Sequence, residues 1–254
     1  MPNPQKSLFL AAKGLAPSPN FKFYALMDYQ LIEYLSECLT PERKELFERV
    51  LELRTRYLTV VLEDIFQPQN ASAVLRTVDC FGLQDVHVIE NRNHFTVDRE
   101  VAMGASKWLT VKKYKNTENN SLNAIKHLRR QGYRIVATSP HEGDTKLEDF
   151  DLEKGKAALI FGTELTGISE VVQNEADEFL KIPMHGFTES FNISVSAAII
   201  LHHLTLRMRA NPAINWNLSD EDQAAIKLSW IKRTLKRSDL LEQRYQELKN
   251  EGKS

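Results

Sequence analysis

Between residues 57 and 208, short apolar runs alternate with segments whose apolar positions recur every three or four residues. The runs Tyr57–Leu62, Val86–Ile89, Leu109–Tyr114, Tyr133–Thr138, Ala157–Phe161 and Phe179–Ile182 have the length and composition of strands. Helical periodicity predicts helices over Ala71–Phe81, Leu122–Gln131, Ile168–Ala176 and Ile193–Met208. This rhythm predicts an α/β fold, with a mostly parallel sheet covered by helices on both faces and ligands bound at the carboxyl ends of its strands.

The flanks break the rhythm. Leu31, Ile32 and Leu35, then Leu46, Phe47, Val50 and Leu51, predict two helices between Asp28 and Arg56. They meet near Thr40, which reads as a cap with Pro41 at the first helical position. The first twenty residues, which include Pro2, Pro4, Pro17 and Pro19, read as a loose arm. Beyond Asn211-Pro212 a helical tail is expected over Asp220–Arg237 and Asp239–Asn250. The expected organisation is therefore residues 1–56, 57–210 and 211–254.

Charge changes this picture only locally. With 33 basic and 34 acidic residues the formal net charge is −1, so any nucleic-acid contact must come from a patch and not from a global field. Lys227, Lys232, Arg233, Lys236 and Arg237 form a stretch without an acid, and residues three and four apart share a helix face. Cys38 and Cys80 are the only cysteines, and His202 and His203 are adjacent, so neither a disulfide scaffold nor a metal site is expected. The N-terminal apolar run, Leu8 to Ala12, is short, and nowhere do about 18 apolar residues run together. A soluble, cytoplasmic protein without a membrane partner is expected.

Three strand-to-helix junctions hold the candidate chemistry. In EDIFQPQNASAVLRT, Asn70 reads as a helix cap. The stripe Ala71, Val74, Leu75 and Val78 leaves Arg76 about 140° from Ala71, pointing away from the core. In IFGTELTGISE, Gly162 and Gly167 permit close backbone approach to a ligand, and Glu164 lies between them. In KIPMHGFTESFNISVSAAII, Asn192 can cap the following helix, with Ser190 beside it. No lysine followed by serine or threonine succeeds Gly167 and no GxGxxG follows a strand, so neither a nucleoside triphosphatase nor a dinucleotide oxidoreductase is supported. Individually, each junction is equally an ordinary β–α turn.

Together, NASAVLRT, FGTELTGISE and IPMHGFTESFNISVSAA resemble, in order and spacing, the three signature motifs of the SpoU/TrmH branch of the SPOUT RNA methyltransferases. The resemblance runs from about Thr40 to Arg209. Within the branch, the stretch from Leu39 to Thr77 is most similar to enzymes that methylate the ribose of guanosine eighteen in the tRNA D-loop. The resemblance implies a C-terminal trefoil knot, a homodimer, S-adenosyl-L-methionine as cofactor and tRNA as partner. It implies catalytic roles for Asn70, Arg76, Glu164, Ser190 and Asn192. It also implies cofactor contacts, largely through backbone groups, from Thr138, Gly162, Ile182 and Phe191. RNA would be gripped by Arg43 and Arg49 of the N-terminal helices and by Lys232, Arg233, Lys236 and Arg237 of the tail. The same resemblance leaves open a ribosomal RNA or another tRNA position as substrate. A non-catalytic RNA-binding module is the alternative of a different class. Gln69, where histidine is common, and Phe191, where leucine is usual, depart from the family pattern.

Overall fold

A computed structural model describes residues 29–139, 143–163 and 166–251. The chain divides into two compact units. One comprises residues up to Leu51 together with those from Ser219 onward, and the other runs from Glu52 to Leu218. The proline-rich arm of the first twenty residues lies outside the described residues.

The larger unit is a seven-stranded parallel sheet in the order β3-β2-β1-β6-β4-β7-β5. Its elements in chain order begin with β1 (Leu58–Glu63), α3 (Pro68–Cys80), β2 (Asp85–Ile89), the single turn α4 (Arg99–Ala102) and β3 (Thr110–Tyr114). There follow α5 (Asn120–Arg130), β4 (Arg134–Thr138), β5 (Thr145–Lys146), β6 (Ala157–Phe161), α6 (Glu170–Glu175), β7 (Glu178–Lys181) and α7 (Ile193–Ala210). The six expected strands are present. β5 and α4 were not expected, because a polar two-residue strand and a one-turn helix are too short to show a period.

Strand alternation divides the core between the two faces. Leu58, Val60 and Leu62 of β1 join Val74, Leu75 and Val78 of α3 and Ala197, Leu201 and Leu204 of α7. Val61 points the other way, into a second core with Ala124, Ile125 and Leu128 of α5 and Val172 of α6. All of these side chains are at 0% exposure, and each valine, leucine or isoleucine among them stabilises the fold by roughly 1.5–3 kcal/mol. The helices therefore cover both faces of the sheet, as the sequence predicts.

The smaller unit contains α1 (29–36), most of α2 (Pro41–Glu52), α8 (Asp220–Thr234) and α9 (Ser238–Glu251). Thr40 caps α2 by accepting from the Arg43 N–H at 3.3 Å. The Phe47 ring lies 5.5 Å from that of buried Trp230, and Tyr34 lies 5.3 Å from Tyr245. The expected four-cation helix face does not form. α8 ends at Thr234, Leu235 is extended, and Arg237 has a left-handed φ of 59°, so Lys236 and Arg237 sit in the break before α9. Lys232 is paired with Glu242 of α9 at 2.7 Å.

Candidate active site

β1 lies between β2 and β6. The helix after β1, α3, packs on one face of the sheet, and the helix after β6, α6, packs on the other. Their loops part at the carboxyl ends of adjacent strands, and such a parting opens a crevice in a doubly wound sheet. Two cavities occupy this end.

The first cavity, about 670 Å³, is lined by Thr138, Gly162, Ile182, Ser190, Phe191 and Asn192. The four expected cofactor residues come from the carboxyl ends of three strands and meet here, Ile182 and Phe191 sharing the loop between β7 and α7. The Thr138 hydroxyl donates to the Ile160 carbonyl at 3.0 Å, which leaves the backbone of this strand end as its ligand-facing part. Gly162 is required by packing: a Cβ there would lie 2.2 Å from the Gly167 carbonyl carbon. Only a bare backbone lets the loop fold back, with Thr163 N–H donating to Gly167 O at 2.9 Å and Gly167 N–H to Thr163 O at 3.0 Å. Gly167 itself has φ +67°, the left-handed region that glycine adopts without strain.

Asn192 caps α7 as expected. Its Oδ1 accepts from the Ser194 N–H at 2.8 Å and from the Ser194 hydroxyl at 2.6 Å. Asn70 is not a cap. Pro68 opens α3 behind extended Gln67, so Asn70 falls inside the first turn and is buried; proline's fixed φ and missing N–H suit the first helical position. Its Oδ1 accepts from Asn192 Nδ2 at 3.1 Å, and its Nδ2 donates to Gln67 Oε1 at 3.0 Å. Two residues 122 positions apart are thus joined directly, one in the wall of each cavity.

Arg76 is exposed on α3 and makes no hydrogen bond or ion pair among the described residues. It lines neither cavity, standing about 9 Å further along the helix than Asn70 at 1.5 Å per residue. Glu164 lies outside the described residues. Arg49 is exposed on α2, and Arg43 lies 6.0 Å from the Phe47 ring centroid; both belong to the other unit, as do Lys232, Arg233, Lys236 and Arg237.

Sequence reasoning missed Glu63. This buried carboxylate accepts from Ser121 Oγ at 2.5 Å, and from Ser169 N–H at 2.9 Å and Ser169 Oγ at 2.8 Å. It ties β1 to the starts of α5 and α6, and so fixes the floor of the second cavity. The available signal was an acidic pair, Glu63-Asp64, ending an otherwise apolar strand where parallel sheets bind ligands.

Comparison with known proteins places this geometry. Residues 57–202 match the SpoU rRNA Methylase family. The chain is 44% identical over 211 residues to the tRNA (guanosine(18)-2′-O)-methyltransferase of Borreliella burgdorferi, which covers 83% of this chain and 94% of that protein. It is 31% identical over 173 residues to the protein of the same name from Escherichia coli K12, covering 68% and 73% respectively. The crystal structure of the A. aeolicus TrmH/SpoU tRNA modifying enzyme superposes with a TM-score of 0.68 at 25% identity, over 77% of this chain and 98% of that one. The matched segment holds the whole parallel sheet, both cavities and the Asn70–Asn192 bond, and the chain belongs to the SpoU rRNA methylase family.

Proposed function

We propose that this protein transfers a methyl group from S-adenosyl-L-methionine to the ribose 2′-hydroxyl of a tRNA guanosine, at position eighteen of the D-loop. The observation that carries the reading is the first cavity, where Thr138, Gly162, and Ile182 with Phe191 converge from the ends of three strands and the loops that follow them, beside Ser190 and Asn192. The names of the similar proteins support guanosine eighteen as the target.

The donor set fits the cofactor. Ile168, Ile182 and Phe191 offer apolar walls for a purine ring, while strand-end backbone groups and the Ser190 hydroxyl offer hydrogen bonds, the mixture that small-molecule sites use. The cofactor supplies an electrophilic methyl carried on a sulfonium. The chain's own residues then have to orient the ribose and tolerate the negative charge that grows on its 2′-oxygen. The Asn70–Asn192 pair holds the wall between the cavities, so that a ribose placed there meets the first cavity from the side. Positioning of this kind removes much of the barrier.

Arg76 is assigned to the developing alkoxide. A guanidinium has a pKa above 12 and cannot act as a base near neutrality, but a fixed cation stabilises an oxyanion strongly. Because Arg76 lines neither cavity of its own chain, we assign it to completing the site in a homodimer. Glu164 is assigned to orienting the arginine or the ribose, on motif position alone. We assign the C-terminal part of the larger unit to a trefoil knot. Arg43 and Arg49 are assigned to RNA phosphates, as are Lys232 and Arg233 on α8 and Lys236 and Arg237 in the break that follows it. Cytoplasmic placement is part of the same reading, in keeping with the free Cys38 and Cys80.

The test is to incubate the purified protein with methyl-labelled cofactor and an unmodified tRNA transcript, then digest with alkali. Label in one alkali-resistant dinucleotide containing guanosine eighteen is the expected result. Label on a base, at another position, or only on added ribosomal RNA would contradict it.

A further inference from the structure

The second cavity, about 1140 Å³, shares Gln67, Thr163, Thr166, Gly167, Ile168 and Gln173 with the first as a common wall. Three features of its far side are unexplained by cofactor binding. Asp64 is 8% exposed and left-handed, with φ 53°. Non-glycine residues rarely adopt this conformation, and such strain concentrates at functional positions. Its Oδ1 is saturated by the backbone N–H groups of Asn91, Arg92 and Asn93 at 2.7, 2.9 and 3.4 Å. Its Oδ2 has no hydrogen-bond partner among the described residues and is not sealed from solvent. The carboxylate is thus clamped by one oxygen and offers the other to the cavity. Next to it Phe66 is 75% exposed at the same cavity, and an apolar ring left in water beside a polar pocket is a stacking surface for a base. Arg92, also in the wall, is exposed and unpaired among the described residues.

We infer that the second cavity reads the target base: guanine stacks on Phe66 while Asp64 Oδ2 accepts from its N1–H and 2-amino edge. This deepens the transferase reading and rests on it. Guanine is the base whose Watson–Crick edge carries adjacent N–H donors, which a carboxylate oxygen recognises. Adenine presents an acceptor at N1 and would be repelled. Arg92 is placed to donate to the O6 and N7 acceptors, the commonest partners of arginine on guanine. The shared wall puts the ribose between the two cavities, its 2′-oxygen toward the first and its base toward the second.

Asp64→Asn separates the two oxygens' roles. Asparagine keeps the Oδ1 acceptor for the 91–93 loop and tolerates a left-handed φ, but turns Oδ2 into a donor. Single-turnover methyl transfer is measured on transcripts carrying guanosine or adenosine at the target position, with cofactor affinity and melting temperature in parallel. Asp64→Asn is expected to lower the guanosine-to-adenosine rate ratio at least tenfold, with cofactor affinity unchanged within twofold. Phe66→Ala is expected to weaken transcript binding about tenfold without altering that ratio. An unchanged ratio in a folded Asp64→Asn protein would overturn the inference. So would an unchanged transcript affinity in Phe66→Ala, should Asp64→Asn fail to fold. Wild-type protein that methylates neither transcript would instead overturn the transferase reading itself.

Discussion

The two ends of the parallel sheet both bury polar side chains, but they use them differently. At the amino end of β1, Arg54 donates to the Leu83 carbonyl at 2.9 Å and pairs with Asp79. Arg56 pairs with Asp85 at 2.9 Å, the Thr55 hydroxyl donates to the Trp216 carbonyl at 2.6 Å, and the Tyr133 hydroxyl to the Arg56 carbonyl at 2.7 Å. These groups are turned on one another and lock β1 to its neighbours. At the carboxyl end the same strand finishes in Glu63 and Asp64, whose bonds fix loops around open space. Buried polarity alone therefore does not mark a site. What marks it is polarity that is rigidly held and adjacent to a cavity.

Two arginines test this contrast most sharply. Arg76→Ala is expected to cut methyl transfer by at least a hundredfold, equivalent to about 3 kcal/mol of barrier. Melting temperature should stay put, because the side chain is exposed and unpaired among the described residues. Single-turnover rates together with thermal unfolding read both quantities; activity within a few-fold of wild type would remove Arg76 from the chemistry. Arg54→Ala should do the reverse. Arg54 is 2% exposed, and removing it strands the Leu83 carbonyl and the partly buried Asp79. A loss of about 3 kcal/mol in stability is expected, with the rate per folded molecule preserved. Denaturant titration checks the loss, and a stability change below about 1 kcal/mol would mean the amino end is not locked as described.

An effect confined to acidic pH comes from between the two ends. His87 of β2 is 3% exposed, with Nδ1 2.9 Å from the Tyr114 hydroxyl. Burial first, then the nearby His127 and Lys112, lower its pKa from 6.5 to about 4. The unfolded chain therefore binds a proton in this range that the folded chain refuses. The stability from neutral His87 is full above about pH 6.5 and is lost as pH falls toward 4, by up to about 3 kcal/mol. His87→Phe should flatten that part of the stability–pH curve, and an unchanged slope would show that the histidine protonates freely in the fold.

The large-scale architecture was readable because each strand and long helix carries its own period, and packing on both faces of the sheet reinforces it. Boundaries were less readable where one residue outweighs the pattern. Pro68 moved the start of α3 two residues ahead of Asn70, converting an expected cap into a buried bridge to Asn192. Leu235 and Arg237 broke a tail that continued helical periodicity would have carried through. Motif resemblance pointed to Thr138, Gly162, Ile182, Ser190, Phe191 and Asn192, which line the first cavity. The second was not, because Asp64, Phe66 and Asn91–Asn93 belong to turns whose geometry depends on long-range hydrogen bonds. A left-handed aspartate leaves no mark in a hydrophobic pattern.

The most direct measurement is a calorimetric titration of S-adenosyl-L-methionine into the wild-type protein and into Gly162→Ala. A Cβ at residue 162 meets the Gly167 carbonyl carbon at 2.2 Å, so the loop carrying one wall of the first cavity must move while the locked amino end stays intact. Saturable binding by the wild-type protein, weakened at least tenfold in a Gly162→Ala protein that still unfolds cooperatively, is the expected result. No binding by the wild type, or equal affinity in both, would contradict the assignment of the carboxyl-end loops to the cofactor.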